Sequence, residues 1–270
     1  MKRPQTAVDL MIAFGAAVLS SALITAVHMI DIRAQARQAE AEVAALSDDL
    51  PRIQPRRAAT QPRPPLDCTK MPCVALTFDD GPSPMTQPLL DALASRGVKA
   101  TFFVQGYRAA ARPGDIAAIV AAGHVVGNHA YNHPRFKGKG VNFVIGQLRS
   151  ADAAIVAAGA PRPTFMRSPY GERTKAQAQA AARLGLVNVL WNVDPNDWAN
   201  PGADVVVQRV LSAAKPGAII LMHDMHQGTV DALPQIIDGL RAAGYLLVTV
   251  PQLIGDKVAP GTNVFSGPKG

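Results

Sequence analysis

Aromatic residues are scarce in this sequence, at 5%; charged residues make up only 17%, and cysteine occurs twice. Each shortage excludes something. So few aromatics leave no separate carbohydrate-binding platform in view. Little charge beside 48% hydrophobic residues excludes global disorder and provides for a sizeable buried core. No basic run interleaved with aromatics occurs, so the formal net charge of +7 points to lipid head groups or an acidic wall polymer ahead of nucleic acid. Cys68 and Cys73 lack the two further nearby ligands that a zinc knuckle needs. A short disulfide in an oxidising compartment and a pair of thiols are both open to them.

Charge is also missing from Leu10 to Ile30, with Lys2 and Arg3 ahead and Asp31 and Arg33 behind. At 1.5 Å per residue that stretch reaches about 31 Å, the thickness of a bilayer core. No convincing Ala-x-Ala cleavage site follows it directly, so an uncleaved single-pass anchor over 1–33 is expected, with a secreted, cleaved form as the alternative. Residues 34–66 read as a stalk and spacer. Ala34–Leu50 is rich in Ala, Glu, Gln and Arg, and Pro51–Leu66 holds five prolines and four arginines without one acid. The remaining residues, 67–255, suffice for one domain, followed by a tail over 256–270.

Within 67–255, short apolar runs alternate with Ala/Leu-rich helical stretches. The runs are Val74–Phe78, Lys99–Val104, His124–Asn128, Pro163–Arg167, Val187–Val193, Ala218–His223 and Tyr245–Val250. Val141–Ala158 and Lys175–Leu184 are the firmest helices among the connections. Near-continuous Val/Ile/Leu is the pattern of buried parallel strands, so seven βα repeats are expected, as a barrel or an open doubly wound sheet. Polar residues gather where those runs end: Asp79 and Asp80 after the first, His129 after the third, Arg167 closing the fourth, Asp194 and Asp197 after the fifth, His223 ending the sixth. Parallel α/β folds build their sites at the carboxyl ends of strands.

His129 and His133 are four residues apart, too far along a strand to share an ion but on one face of a helical turn. Capping or surface histidines share that spacing. Asp79-Asp80 offers a carboxylate to complete two imidazoles and one oxygen, a donor set suited to catalytic zinc. Adjacent carboxylates after a buried strand also require a cation or arginine to offset their repulsion.

Five segments occur in order: Thr77-Phe-Asp-Asp-Gly-Pro82, His129-x-x-x-His133, Arg167-Ser-Pro-Tyr-Gly171, Asp194-x-x-Asp197-Trp198 and Leu221-Met-His223. In this series the chain resembles the polysaccharide deacetylases of the NodB-homology type, the fourth carbohydrate esterase family. The resemblance spans Val74 to about Gln252 and none of residues 1–66. It implies an α/β fold, a distorted (β/α)7 barrel, and hydrolysis of acetyl groups on an extracellular polysaccharide. By the same resemblance Asp80, His129 and His133 bind a divalent metal, zinc or another such as cobalt. Asp79 is the general base, paired with Arg167; His223 is the general acid, oriented by Asp197; and the Tyr170 N–H helps hold the oxyanion. Leu221, Trp198 and Pro169 shape a pocket for the acetyl methyl. One position departs from the family: Ala130 stands where Ser or Thr is usual. Peptidoglycan N-acetylglucosamine is the expected substrate, given the anchor and spacer. Acetylxylan and chitin are the alternatives, and a metal-retaining, non-catalytic glycan-binding wall protein is the competing class. Oligomeric state is not legible.

Overall fold

The computed structural model describes residues 66–255 and 257–269. The expected anchor over 1–33, and all but the last residue of the stalk and spacer, lie outside the described residues. Among the described residues, no helix is long and apolar enough to cross a membrane.

The first strand, β1 (Cys73–Asp79), is buried at every residue. Its side chains alternate between two environments. Val74, Leu76 and Phe78 join the apolar layer beneath the helices, whereas Cys73 and Ala75 belong to an inner cluster. Thr77 and Asp79 continue that inward face by the two-residue period of a strand. Full burial of a side chain such as Phe78, whose ring lies 5.2 Å from that of Phe102, contributes about 1.5–3 kcal/mol. A continuous apolar strand is therefore stable only with neighbours on both faces.

Those neighbours come from β2 (Thr101–Val104), β3 (Val125–Asn128), β4 (Phe165–Met166), β5 (Val187–Val189), β6 (Ile219–His223), β7 (Leu246–Val248) and β8 (Asn263–Val264). The sheet order is β6–β1–β2–β3–β4–β5–β8, with β7 pairing to the start of β1. Every strand pairing is parallel. Isolated bridges Val193–Ile220 and Ala218–Ser266 bring the two ends of that order together. The result is a parallel-stranded half-barrel, consistent with a distorted (β/α)7 barrel. The intervening helices include α1 (Thr86–Ala94), α2 (Gly106–Ala111), α3 (Pro113–Ala121), α4 (Val141–Ala157), α5 (Lys175–Leu184), α6 (Ala203–Ala213) and α7 (Gln227–Ala242), with α8 (Val250–Ile254) following β7. In α5, the Thr174 side chain accepts the Gln177 amide at one end, and left-handed Gly185 closes the other.

Three expectations change. Residues 256–270 are more than a tail: Asn263 and Val264 pair with Asn188 and Val189, extending the sheet. The fifth run ends early as a strand because the carbonyls of Val189 and Leu190 accept from the Arg167 guanidinium. The last run stops at Val248, where Thr249 and Gln252 form a capping box for α8.

Candidate active site

The carboxyl ends of β1, β3, β4, β5 and β6 converge on one cleft of about 410 Å³. Asp79, Asp80, His129, His133, Tyr170, Trp198, Leu221 and His223 line it, as the sequence anticipates. Ser168, Gly171, Trp191 and Asp194 join them. Pro169 does not line it; the residue is buried in the short turn Pro169–Gly171. Asp194 also accepts the Asn196 amide at 2.8 Å within its loop.

Asp80 sits just past β1 in a left-handed conformation, φ 71°, which turns its carboxylate away from the strand axis. The Gln105 amide, immediately after β2, donates to Asp80 Oδ1 at 2.5 Å. His129 Nε2 lies 3.4 Å and His133 Nε2 3.6 Å from the same oxygen. These distances exceed those of good hydrogen bonds. The first falls within, and the second just above, the separation of about 3.3–3.5 Å between donors of a tetrahedral zinc with bonds of about 2.0–2.1 Å. One donor atom from each of the three residues falls within 4.8 Å of the others. The tautomer also suits a ligand. His129 Nδ1 lies 2.7 Å from the Arg167 carbonyl, which can only accept, so Nε2 keeps its lone pair toward Asp80.

His133 reaches this cluster by a different route from the expected helical turn. Ala130 (φ 63°) and His133 (φ 56°) are both left-handed, and no helix forms between them. The Ala130 amide donates to Asn128 Oδ1, and its carbonyl accepts the Gly106 amide. This irregular bend folds the chain back and brings the two imidazole centroids to 4.8 Å.

Behind the cluster lies Arg167, fully buried, with every arm engaged. Nη1 donates to Asp79 Oδ1 at 2.7 Å and to Thr77 Oγ1 at 2.9 Å, while Nε and Nη2 reach the Val189 and Leu190 carbonyls. Its guanidinium carbon also stands 4.2 Å from the Phe103 ring centroid. Burial pulls the guanidinium below its ordinary value, and the Asp79 carboxylate opposes that fall. Asp79 Oδ2 is left 3.7 Å from His129 Nε2, at the edge of the cleft.

At the far side, Asp197 receives His223 Nδ1 at 2.8 Å, the His223 amide at 2.7 Å and Thr229 Oγ1 at 2.6 Å. Burial works against charge on His223, yet the hydrogen bond and charge of Asp197 prevail and raise the imidazolium to about 9. Burial likewise opposes ionisation of Asp197, but His223 and Thr229 hold its carboxyl below the usual range. His133 goes the other way: burial, and then its neighbour His129, push it down to about 4. For Asp80, burial is outweighed by the surrounding imidazoles, and the carboxyl lies below its ordinary value.

The arrangement can hold a divalent cation on one wall, accept a proton at Asp79 beside it, and donate one from His223. Gln105 and Trp191 escaped the sequence reading as site residues. Both follow strand ends, at β2 and β5, so the rule that found the acids applied to them too. Cys68 and Cys73 form a disulfide.

Comparison with known proteins agrees with this geometry. A family model described as polysaccharide deacetylase matches residues 67–189. The peptidoglycan-N-acetylglucosamine deacetylase PgdA of Listeria monocytogenes is 39% identical over 193 residues, 71% of this chain and 41% of that protein. A chitooligosaccharide deacetylase of Sinorhizobium fredii is 39% identical over 70% of this chain and 94% of its own length. A family 4 carbohydrate esterase from Streptomyces lividans, solved in complex with acetate, superposes with a TM-score of 0.65 at 40% identity, covering 70% of this chain and 97% of that one. This chain therefore spans less than half of the Listeria protein and nearly all of the other two.

Proposed function

This chain belongs to the polysaccharide deacetylase family, and we propose that it hydrolyses N-acetyl groups on a cell-wall polysaccharide, peptidoglycan N-acetylglucosamine foremost. The observation that carries this reading is the pairing, across one cleft, of a carboxylate braced by a buried arginine with an imidazolium braced by a buried aspartate. Amide hydrolysis needs both a base for the attacking water and an acid for the departing amine.

Asp80, His129 and His133 would hold Zn²⁺, or Co²⁺ in its place. When bound there, the ion supplies Lewis acidity that polarises the acetyl carbonyl and eases deprotonation of water. The protein does the rest. Asp79 takes the proton from the attacking water on Oδ2, while Arg167 keeps Oδ1 fixed. The backbone N–H of Tyr170 serves as an oxyanion donor. Leu221, Trp191 and Trp198 enclose the acetyl methyl. His223 then delivers its Nε2 proton to the sugar nitrogen as the C–N bond breaks, giving acetate and a free amine.

The anchor and wall location belong to the same proposal. Their support is the uncharged Leu10–Ile30 stretch, together with a disulfide that suits an oxidising compartment. Likeness to a chitooligosaccharide deacetylase and to a carbohydrate esterase keeps chitin and acetylxylan as second substrates. Acetate release from peptidoglycan, chitooligosaccharide and acetylxylan, with Zn²⁺ supplied and Asp80→Ala as the blank, tests the reading. Release from none of the three by zinc-loaded protein would sink it.

A further inference from the structure

The cleft is electrically lopsided. On its β3 and β4 side, the loops 133–140 and 171–175 carry five exposed cations, Arg135, Lys137, Lys139, Arg173 and Lys175, against one acid. On its β5 side, residues 190–202 carry Asp194 and Asp197 and no cation. The basic loops are tied into one rim by that single acid. Glu172 accepts the Phe136 amide at 2.6 Å and the Lys137 amide at 2.7 Å, and pairs with Arg135 Nη1 at 3.0 Å. Burial disfavours its charge, but these partners hold its carboxyl below the ordinary value. Glu172 thus offsets the Arg135 charge, and these loops keep a net excess of four cations.

The rim also connects to the chemistry. The Arg135 guanidinium carbon stands 4.1 Å from the Tyr170 ring centroid, and that ring lies 4.6 Å from His133. Tyr170 lines the cleft and is half exposed. A polymer seated over the cleft on the Tyr170 side therefore meets Arg135 next, with Lys139 over the Phe143 ring and Arg173 over the Phe265 ring farther out.

We propose that this rim is an anionic subsite, which selects a glycan bearing a carboxylate on the sugar beside the one being deacetylated and orients that sugar toward β3 and β4. In peptidoglycan strands freed of stem peptides, the lactyl carboxylate of muramic acid is the group of that class; chitin and neutral xylan have none there. The inference rests on the deacetylase reading and assigns the rim a substrate-choosing part. Exposed charges of this kind act through attraction and orientation, are screened by salt, and are strongest as a group.

The test compares glycan strands freed of stem peptides with the same strands after amidation of their lactyl carboxylates. Zinc-loaded full-length protein should prefer the acidic strands at low salt, and about 1 M salt, where the Debye length is about 3 Å, should erase the preference. Combining Lys137→Gln, Lys139→Gln and Arg173→Gln should lower kcat/KM on acidic strands about five- to tenfold, mainly through KM, and reduce the ratio between the two substrates toward one. Arg173→Glu alone, a single surface change, should move the ratio the same way should the combined variant fold poorly. An unchanged ratio in both variants overturns the proposal, as does equal activity of the wild type on acidic and amidated strands. A rim that binds phosphatidylglycerol-rich vesicles but shows no acidic-strand preference would overturn it in favour of a membrane contact. Wild-type protein inactive on both strands and on chitooligosaccharide would instead defeat the deacetylase reading itself.

Discussion

Two histidines on opposite walls of the cleft are both largely buried, yet they are held in opposite protonation states. His133, beside His129, is pushed down to about 4, so it offers a lone pair at neutral pH. His223, beside Asp197, is raised to about 9, so it offers a proton. Burial alone disfavours charge on both. Both face carboxylates, but Asp80 stands 3.6 Å from His133 with a second imidazole beside it, whereas Asp197 accepts the His223 ring nitrogen at 2.8 Å. Equivalent side chains are thereby fitted to the proposed roles of ligand and acid through local company. Asp79 and Arg167 stand between the two walls, and the proposed chemistry needs both walls at once.

The largest effect should come from emptying the ligand wall. Asp80→Ala removes the oxygen that faces both imidazoles and should abolish detectable acetate release. Zinc titration by calorimetry should show binding lost as well. His223 should still titrate above its ordinary 6.5 by NMR, because Asp197 remains in place. If Asp80→Ala keeps zinc affinity, the donor set is wrong.

Removing the acid should leave zinc binding intact and slow amide hydrolysis by about 10²–10⁴, the usual worth of a positioned proton donor. His223→Ala should cost less on an acetyl ester, since an alkoxide departs more readily than an amide anion. Equal losses on both substrates would count against the acid role.

Arg167→Met addresses the link. It leaves Asp79 buried without its cation, and breaking such a pair typically costs about 3–5 kcal/mol of stability. Urea unfolding should show that loss, and Asp79→Asn in the same background should recover part of it, because the stranded charge is gone. Additive losses would mean that the pair is not coupled.

Much of this site was legible because it obeys a rule of position. Residues past the ends of parallel strands meet at one face, which placed Asp79, Asp80, His129, Arg167, Asp197 and His223 together from sequence alone. What escaped depended on backbone conformations or on distant partners. The left-handed angles at Ala130 and His133 leave no periodic trace, so the expected helical turn was the wrong path to a correct pairing. Two residues of β8 are too short a run to stand out; Asn263 is recognisable only through its bond to Asn188. Pro169 was carried into the pocket by its motif, whereas the turn it occupies presents Tyr170 and Gly171 to the cleft instead.

The smallest and most discriminating change is Asp197→Asn, which keeps the shape of the acid wall and removes its charge. With the imidazolium at about 9, His223 stays protonated throughout the neutral range. Without the carboxylate it should return toward its ordinary 6.5, or lower because burial remains. At about pH 7.5 a group of pKa 6.5 is only about one-tenth protonated, so kcat should fall about tenfold and its basic limb should move down by about two pH units or more. Stability should follow the same sign. A raised histidine stabilises fully below its unfolded value of 6.5 and loses that contribution as pH rises through about 9. Wild-type protein should therefore lose Tm between pH 6.5 and 9 from this pair, and the variant should lose less over the same span. Asp197 has the complementary dependence: its carboxyl is lowered from 3.8, so its contribution fades as pH falls below that value. A variant whose basic limb stays near 9 would show that something other than Asp197 holds the proton on His223, and the contrast between the two walls would need another cause.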